Sequence, residues 1–300
     1  MKNHLGIVRL LLIIAISASC VTGCKVYVHA AQTTQAATEN TEQATEAVTQ
    51  DTNETEELKS PETGKAGLSD LKKKLKKELK GKSGQWSVYV KNLDTNEYLL
   101  INNKKLPSAS LIKLYVMMAA YEEAKGGEAV KENSSFKSLM KKMITVSDNE
   151  SANVLAKRLT GKGTFKAGIK VINKYCKTNG YTKTRFLVEM GKSSPKNVTS
   201  ARDCGWALER MYRGTAVSPK SSKKMIKLLK AQTRRSKLPA GVPKGVTIAN
   251  KTGETSFAEN DAAIVYSDGA DYVIVVMSKN GKGAVEEIRK RSQIVYKYFN

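Results

Sequence analysis

The stretch LPSASLIKLYVM, Leu106 to Met117, places a serine and a lysine three residues apart at the start of an apolar segment. The residues that follow Lys113 are apolar most of the way round a helix, and such helices are usually buried. Lysine is rarely buried unless it is paired or functional. Ser110 and Lys113 share one helix face, and burial lowers the proton affinity of a lysine. The pair is therefore a candidate nucleophile and base.

The Ser-x-x-Lys pattern identifies nothing by itself, because this chain is rich in lysine. Other copies are typical of solvated helix faces: Ser69/Lys72, Ser134/Lys137, Ser138/Lys141, Ser193/Lys196 and Ser221/Lys224. Only the copy at Ser110 is followed by a long apolar helix pattern. The flanking sequence, and not the motif, singles it out.

Residues 67–300 contain no histidine, since the two histidines of the chain are His4 and His29. This excludes a Ser-His-Asp triad and a histidine-ligated zinc site from that region. If the region is a hydrolase, another base must serve, and lysine is a known alternative.

The first 23 residues have the pattern of a secretory signal. Lys2 and Arg9 precede an apolar core from Leu10 to Ala18, which is too short for a comfortable membrane span. Val21-Thr22-Gly23-Cys24 resembles a bacterial lipobox, in which Cys24 is lipidated after cleavage. Cys20 is a weaker candidate, and an ordinary cleaved signal is the alternative. We therefore expect an extracytoplasmic protein, lipid-anchored to the outer face of the cytoplasmic membrane of a bacterium.

Residues 24–66 form a Thr/Glu/Gln/Ala-rich segment with few large apolar residues, which predicts a disordered tether. The chain carries a formal charge of +23 and the first 66 residues carry −3, so residues 67–300 carry +26. Such a charge inside a cell favours nucleic acid as a partner, but the secretory signal argues against it. We expect anionic cell-wall polymers instead.

Cys176 and Cys204 are the cysteines of residues 67–300. An oxidising location outside the cell permits a disulfide between them. The sequence alone leaves open whether they meet.

Strand patterns occur at both ends of residues 67–300, with helical patterns between them. Strands are predicted at 85–93, 97–103, 245–253, 261–267 and 271–278. Helices are predicted at 71–80, from Ser110 to Gly126, and at 136–145, 150–159, 164–175, 199–212, 218–231 and 283–298. The short strand connections imply antiparallel pairing. We predict a mixed α/β (α+β) fold: an antiparallel sheet, flanking N- and C-terminal helices and an all-helical subdomain.

Two further motifs follow the Ser110 helix. Ser147-Asp148-Asn149 precedes a helix and alone reads as an N-cap. Lys251-Thr252-Gly253 ends a predicted strand and alone reads as a turn. Together and in this order, the three motifs are the signature set of penicillin-recognising serine enzymes. The chain resembles the class A β-lactamase family over about residues 67–300, which implies a β-lactamase/transpeptidase-like fold.

The resemblance implies a role for each motif residue. Ser110 would attack a β-lactam or a D-alanyl amide, Lys113 would take its proton, and Ser147 would relay the proton to the departing nitrogen. Substrate would be bound by Asn149, Lys251, Thr252 and Gly253. The backbone N–H groups of Ser110 and Glu254 would form the oxyanion hole. The resemblance implies no cofactor or metal, and we expect a monomer.

The sequence departs from that family where its deacylating glutamate lies, in a Glu-x-x-Leu-Asn string. Residues 184–203 lack the string, and Glu189 is their only glutamate and hence the candidate base. Acylation is thus implied and deacylation is left open. We interpret the chain as a β-lactamase-like acyl-hydrolase. The alternatives are a penicillin-binding D-alanyl peptidase or transpeptidase-like protein acting on peptidoglycan stems, and a non-catalytic cell-wall-binding module.

Overall fold

The computed structural model of this chain describes residues 68–127, 129–192 and 194–300. The predicted signal peptide (1–23), its lipidation site Cys24 and the predicted tether (24–66) lie outside the described residues. The predictions made for them therefore stay predictions.

A five-stranded antiparallel sheet forms the centre of the fold, in the order β2-β1-β7-β6-β5. Its strands are β1 (Gln85–Asn92), β2 (Tyr98–Ile101), β5 (Thr247–Thr255), β6 (Ala258–Tyr266) and β7 (Tyr272–Lys279). The first two come from one end of the domain and the last three from the other, as the sequence predicts. Because β5 is an edge strand, part of its backbone is free to face a neighbouring element.

Helices cover both faces of the sheet. Successive side chains of β1 point to opposite faces, and apolar side chains on each face pack into a separate core. Val88 and Val90 pack in one core with α1 (Ser69–Leu79) and α8 (Ala284–Phe299). Tyr89 packs in the other core with the helical block. That block consists of α2 (Ile112–Gly126), α3 (Ser134–Thr145), α4 (Asn149–Arg158), α5 (Phe165–Thr178), α6 (Ala201–Tyr212) and α7 (Pro219–Lys230). The predicted fold class is confirmed.

Local sequence sets where the helices of the block begin. An oxygen of the N-cap side chain accepts a hydrogen bond from a backbone N–H of the first turn in α3 to α7, the pattern that Ser, Thr, Asp and Asn favour. The capping residues are Asn133, Asp148, Thr164, Ser200 and Ser218. Asp148, the middle residue of the Ser-Asp-Asn motif, is thus a helix cap as well as a motif residue.

The predicted bounds of one strand and one helix near the site are wrong in detail. The strand predicted at 245–253 runs on to Thr255, because β5 and β6 stay in register to the last pair, Thr255 with Ala258. The Lys-Thr-Gly motif therefore lies within a strand and not at its end. Residue 199 was predicted to be helical, but β4 (Val198–Thr199) pairs with β3 (Leu106–Pro107). That small sheet brings the segment before α6 next to the residues that precede Ser110.

Cys176 and Cys204 are both buried as free thiols, so no disulfide joins them. Burial raises the pKa of Cys204 to about 12. Within residues 68–127, 129–192 and 194–300, no helix combines the length and the hydropathy that a bilayer span requires.

Candidate active site

Ser110 lies in a 3₁₀ turn, Ala109–Leu111, that leads directly into α2. A residue of the central sheet holds the segment that leads into this turn. The buried Asn260 of β6 donates its side-chain N–H groups to the carbonyl oxygens of Pro107 (3.0 Å) and Ser108 (3.2 Å). Ala109 has a φ of 45°, a left-handed conformation that is costly for a residue other than glycine. The nucleophile candidate is therefore held in a strained and tightly bonded turn.

Lys113 is fully buried, and its ammonium group contacts the residues that the motifs predict. Its Nζ lies 3.0 Å from the Oγ of Ser110 and 3.3 Å from the Oγ of Ser147. It also donates to the backbone oxygen of Ser147 (2.6 Å) and to Oδ1 of Asn149 (2.7 Å). The structure thus brings together two of the three motifs around a single buried amine.

Burial lowers the pKa of Lys113 to about 7. The carboxylate of Asp148 opposes this change, and the positive charge of Arg234 adds to it. A lysine with a pKa near neutrality is present in both its acid and its base forms at physiological pH, as a general base must be.

The third motif reaches the same centre through Lys251. Its buried Nζ lies 2.9 Å from the Oγ of Ser147 and 2.8 Å from the backbone oxygen of Thr252. Burial, together with the charge of Lys113, lowers the pKa of Lys251 well below its usual value. The hydroxyl of Ser147 therefore bridges the two lysines and offers a path for a proton between them. The backbone of Ser147 is also left-handed, with a φ of 63°.

Gly253 allows β5 to approach the nucleophile turn. A Cβ at this position would lie 3.2 Å from the backbone nitrogen of Leu111 and 2.9 Å from the backbone oxygen of Ser108, so the backbone would have to shift to admit any other residue. The glycine of the Lys-Thr-Gly motif is thus explained by a close backbone contact. The next residue, Glu254, lines the same cavity as Ser110.

The cavity at Ser110 has a volume of about 330 Å³. Asn149 lines it from the Ser-Asp-Asn motif, while Thr252 is almost fully buried in β5. The loop between α5 and α6 contributes Glu189, Met190 and further residues to the opposite side. Among the residues that the structure describes, no group of three His, Cys, Asp or Glu side chains is arranged to hold a metal ion.

Glu189, the candidate deacylation base, lines this cavity but is engaged by two lysines. Its carboxylate lies 3.3 Å from Nζ of Lys192 and 3.8 Å from Nζ of Lys157. No hydrogen bond joins it to Ser110 in the described part of the chain. The structure thus places Glu189 at the site without giving it the contact that a base for the serine ester needs.

Several residues that support the site were missed by sequence reasoning. They are Lys237, Arg234, Asn260, Met190 and Asn197. Only Asn260 had a local signal, since it lies in the strand that follows the Lys-Thr-Gly motif. The others come from separate segments, and no spacing in the sequence relates them to Ser110.

Comparisons with known proteins agree with this geometry. The model of the beta-lactamase enzyme family matches residues 70–134 and 128–299. A structure of PBP-A is 24% identical, with a TM-score of 0.68 over 77% of this chain and 96% of that one. A mutant of PBP-A, an acyl-enzyme complex with penicillin G, is also 24% identical, with a TM-score of 0.70 over 77% and 97%.

A beta-lactamase from Sphaerobacter thermophilus DSM 20745 is 18% identical, with a TM-score of 0.65 over 78% of this chain and 98% of that one. No curated protein sequence matches the chain. At these identities the structural likenesses establish the fold alone. That fold, with a lysine-paired serine at the edge of its sheet, is the β-lactamase/transpeptidase-like fold of serine hydrolases. The chain belongs to the beta-lactamase enzyme family.

Proposed function

We propose that this protein is a serine acyl-transfer enzyme that β-lactams acylate at Ser110. One observation carries the proposal: the Nζ of Lys113, buried and with a pKa near 7, lies 3.0 Å from the Oγ of Ser110. A nucleophile within hydrogen-bond distance of a base of matched pKa is the arrangement that covalent catalysis requires.

The acylation step follows from these contacts. Lys113 removes the proton of Ser110 as its Oγ bonds to the lactam carbonyl carbon, and the carbonyl electron pair moves onto oxygen. Collapse of this intermediate breaks the C–N bond. The proton passes from Lys113 through the hydroxyl of Ser147, 3.3 Å away, to the departing nitrogen. The proton balance closes without any outside donor.

Strand β5 would bind both the substrate carboxylate and the oxyanion. The side chains of Lys251 and Thr252 would bind the carboxylate, and Asn149 would hold the side-chain amide of the substrate. The backbone N–H groups of Ser110 and Glu254 would receive the oxyanion, since Gly253 lets β5 lie against the Ser110 turn. Losing one such donor typically costs about 10²–10³ in rate.

Deacylation is proposed to be slow. The carboxylates among the described residues lining the cavity are Glu189 and Glu254, and each is paired with two cations. Ion pairs with these cations engage both carboxylates, and neither hydrogen-bonds Ser110 in the described part of the chain, so neither is placed to activate a water at the serine ester. Slow release favours a penicillin-binding protein over an efficient β-lactamase, with D-alanyl peptides of peptidoglycan as the physiological substrate. The acyl-enzyme complex of the PBP-A mutant is consistent with this.

Intact-mass spectrometry of the full chain mixed with benzylpenicillin tests the proposal. We expect an adduct of one penicillin that persists for many minutes in the parent and is absent in Ser110→Ala. Ser138→Ala, in an exposed Ser-x-x-Lys pair on α3, is the matched control and keeps the adduct. A short-lived adduct with accumulating hydrolysed drug would show a working β-lactamase. No adduct in the parent would favour the non-catalytic wall-binding alternative.

We further propose that the chain is exported and lipid-anchored through Cys24. The supporting feature is the lipobox-like sequence after an apolar signal. Labelling of expressing bacteria with a radioactive fatty acid should mark the parent and Cys20→Ser, but not Cys24→Ser. Labelling that survives Cys24→Ser would contradict the assignment.

Anionic wall polymers are proposed as a second partner, and α5 is the surface that favours them. Residues 151–188 contain nine Lys and Arg residues and no acidic residue. On α5 the exposed lysines recur at a spacing that puts them on one face: Lys166, Lys170, Lys174 and Lys177. Like charges at this spacing destabilise a helix, so the stripe suits a binding partner of opposite charge better than it suits the fold.

Other lysine-rich helices fit a polyanion less well. On α1 the lysines are interspersed with Asp70 and Glu78. On α7, Lys224 pairs with Glu132, and Lys230 lies over a tyrosine ring. No exposed large apolar side chain of the described residues lies on α5, which favours a soluble polymer over a membrane surface.

A further inference from the structure

Two carboxylates face each other across the strand pair that carries the proposed oxyanion donor. Glu254 on β5 is the register partner of Glu259 on β6. Like charges directly opposite each other on neighbouring strands destabilise the pair. The strand end beside Ser110 therefore needs a counter-charge.

Lys237 supplies that counter-charge from a buried position. Its Nζ lies 3.0 Å from Oε1 of Glu254 and 2.6 Å from Oε2 of Glu259. It also donates to the backbone oxygens of Asn260 (3.2 Å) and Gly253 (3.5 Å). The side chain of Lys237 is only 1% exposed, whereas the two glutamates are about one-third exposed. One ammonium thus contacts both strands and both carboxylates.

The backbone next to Lys237 is itself held by hydrogen bonds, which anchors the base of the Lys237 side chain. The next residue, Leu238, donates its N–H to Oδ2 of the buried Asp261 (3.0 Å). Its backbone oxygen accepts a hydrogen bond from the Oγ of Ser292 on α8 (2.7 Å). Burial raises the pKa of Asp261 to about 6, and the charge of Lys237 opposes that rise.

The ion pairs of Lys237 with Glu254 and Glu259 hold the part of β5 that lies next to Ser110. Gly253 packs against the Ser110 turn, and Glu254 lines the Ser110 cavity. Without the ammonium, Glu259 would lose its ion pair and Glu254 would keep only the one with Arg234, so the facing carboxylates would repel each other and move this strand end. An oxyanion donor works only within a few tenths of an ångström of its position, and a displacement of about 1 Å can cost 10²-fold in rate.

We propose that Lys237 is a positioning residue for acylation, which holds the oxyanion strand by neutralising Glu254 and Glu259 together. This rests on the proposed acylation at Ser110. Lys237 acts through the strand and touches no substrate. Because the partners of Lys237 are two facing glutamates, removing the charge of Glu259 should compensate for the loss of the lysine.

Stopped-flow acylation with a chromogenic cephalosporin tests this, by separating the maximal acylation rate from the dissociation constant. For Lys237→Met we expect the maximal rate to fall about 10²-fold, with little change in the dissociation constant. Lys237→Met/Glu259→Gln should recover most of the lost rate, because Glu254 then faces no charge. Arg235→Met removes a neighbouring cation that forms no ion pair with an acidic side chain of the described residues, and should act as the parent.

A rate that stays low in the double variant would overturn the proposal, as would a Lys237→Met protein that loses thermal stability but keeps its acylation rate. If Lys237→Met does not fold, Lys237→Gln keeps a donor for the two carbonyl oxygens and is measured in its place. Failure of the proposed function is distinguishable, since the parent itself would then form no adduct.

Discussion

Asn153 and Met190 are joined by two reciprocal hydrogen bonds. The backbone N–H of Met190 donates to Oδ1 of Asn153 (2.8 Å), and Nδ2 of Asn153 donates to the backbone oxygen of Met190 (3.1 Å). Nδ2 of Asn197 also lies 3.7 Å from the Met190 sulfur. The helix that follows the Ser-Asp-Asn motif thus fixes an apolar side chain in the wall of the Ser110 cavity.

Met190→Glu should convert a lasting acyl-enzyme into a transient one. The fixed backbone would carry a carboxylate into the cavity, and general-base assistance is typically worth about 10²–10⁴ in rate. We expect the lifetime of the penicillin adduct, followed by intact mass, to fall at least tenfold. Met190→Gln has nearly the same shape and no base, so equal lifetimes in the two variants would contradict the prediction.

The acylation rate should rise with pH to a plateau, with a midpoint near 7. The deprotonated form of Lys113 is the base, and burial places its pKa at about 7, so the rate is lost as the pH falls below that value. Arg234→Gln removes a charge that lowers this pKa and should move the midpoint to higher pH. Stopped-flow acylation between pH 5 and 9 measures both profiles.

Arg235→Gln is the matched control for that shift, because the hydrogen bonds of the Arg235 side chain within the described residues go to Asn250 and to the backbone oxygen of Ile248. Its profile should overlay that of the parent. Identical midpoints in the parent and Arg234→Gln would show that another group controls the profile.

Gly253→Ala should impair both stability and acylation. The added methyl group would lie 2.9 Å from the backbone oxygen of Ser108, and this backbone contact cannot be relieved by a side-chain rotation. Overpacking typically costs about 1–3 kcal/mol, and the shifted strand should slow acylation about 10²-fold. Denaturant melts and adduct formation measure the two effects. Gly161→Ala, in open space, should match the parent in both.

Neutralising the α5 stripe should weaken binding to a polyanion. The variant carries glutamine at Lys166, Lys170, Lys174 and Lys177. With linear poly(glycerol phosphate), the slope of log K against log salt should become shallower by about 3, by analogy with single-stranded nucleic acid. The control carries the same four changes on α1: Lys72, Lys74, Lys76 and Lys77.

Equal losses in the two variants would mean that net charge alone drives polyanion binding, against the assignment to α5. A second arm uses phosphatidylglycerol vesicles. If the α5 change abolishes vesicle binding and leaves polymer binding intact, the surface is a membrane contact and the polymer proposal is wrong.

The site divides into a part that the sequence reveals and a part that it hides. Ser110 and Lys113 lie three residues apart, so helix periodicity alone brings them together, as the 3.0 Å contact confirms. The capping role of Asp148 is equally local. These features depend on neighbours within one turn of helix.

The hidden part depends on register and on long connections. Glu254 faces Glu259 only because the β5–β6 hairpin turns at residues 256 and 257, after a strand that runs two residues past its predicted end. Lys237 reaches them across a 3₁₀ turn, and Met190 is placed by hydrogen bonds to α4. Nothing in the local sequence records which carboxylate a distant lysine will meet.

The left-handed backbone at Ala109 and Ser147 implies a trade-off between the thermal stability of this protein and its proposed activity. Each such conformation costs about 1–2 kcal/mol, a sizeable share of the small margin by which a domain stays folded. Holding these two residues in a strained conformation therefore lowers the thermal stability of the folded protein. Screens for thermostable variants are therefore expected to enrich changes that relax these two positions and abolish acylation, so such screens need an activity filter.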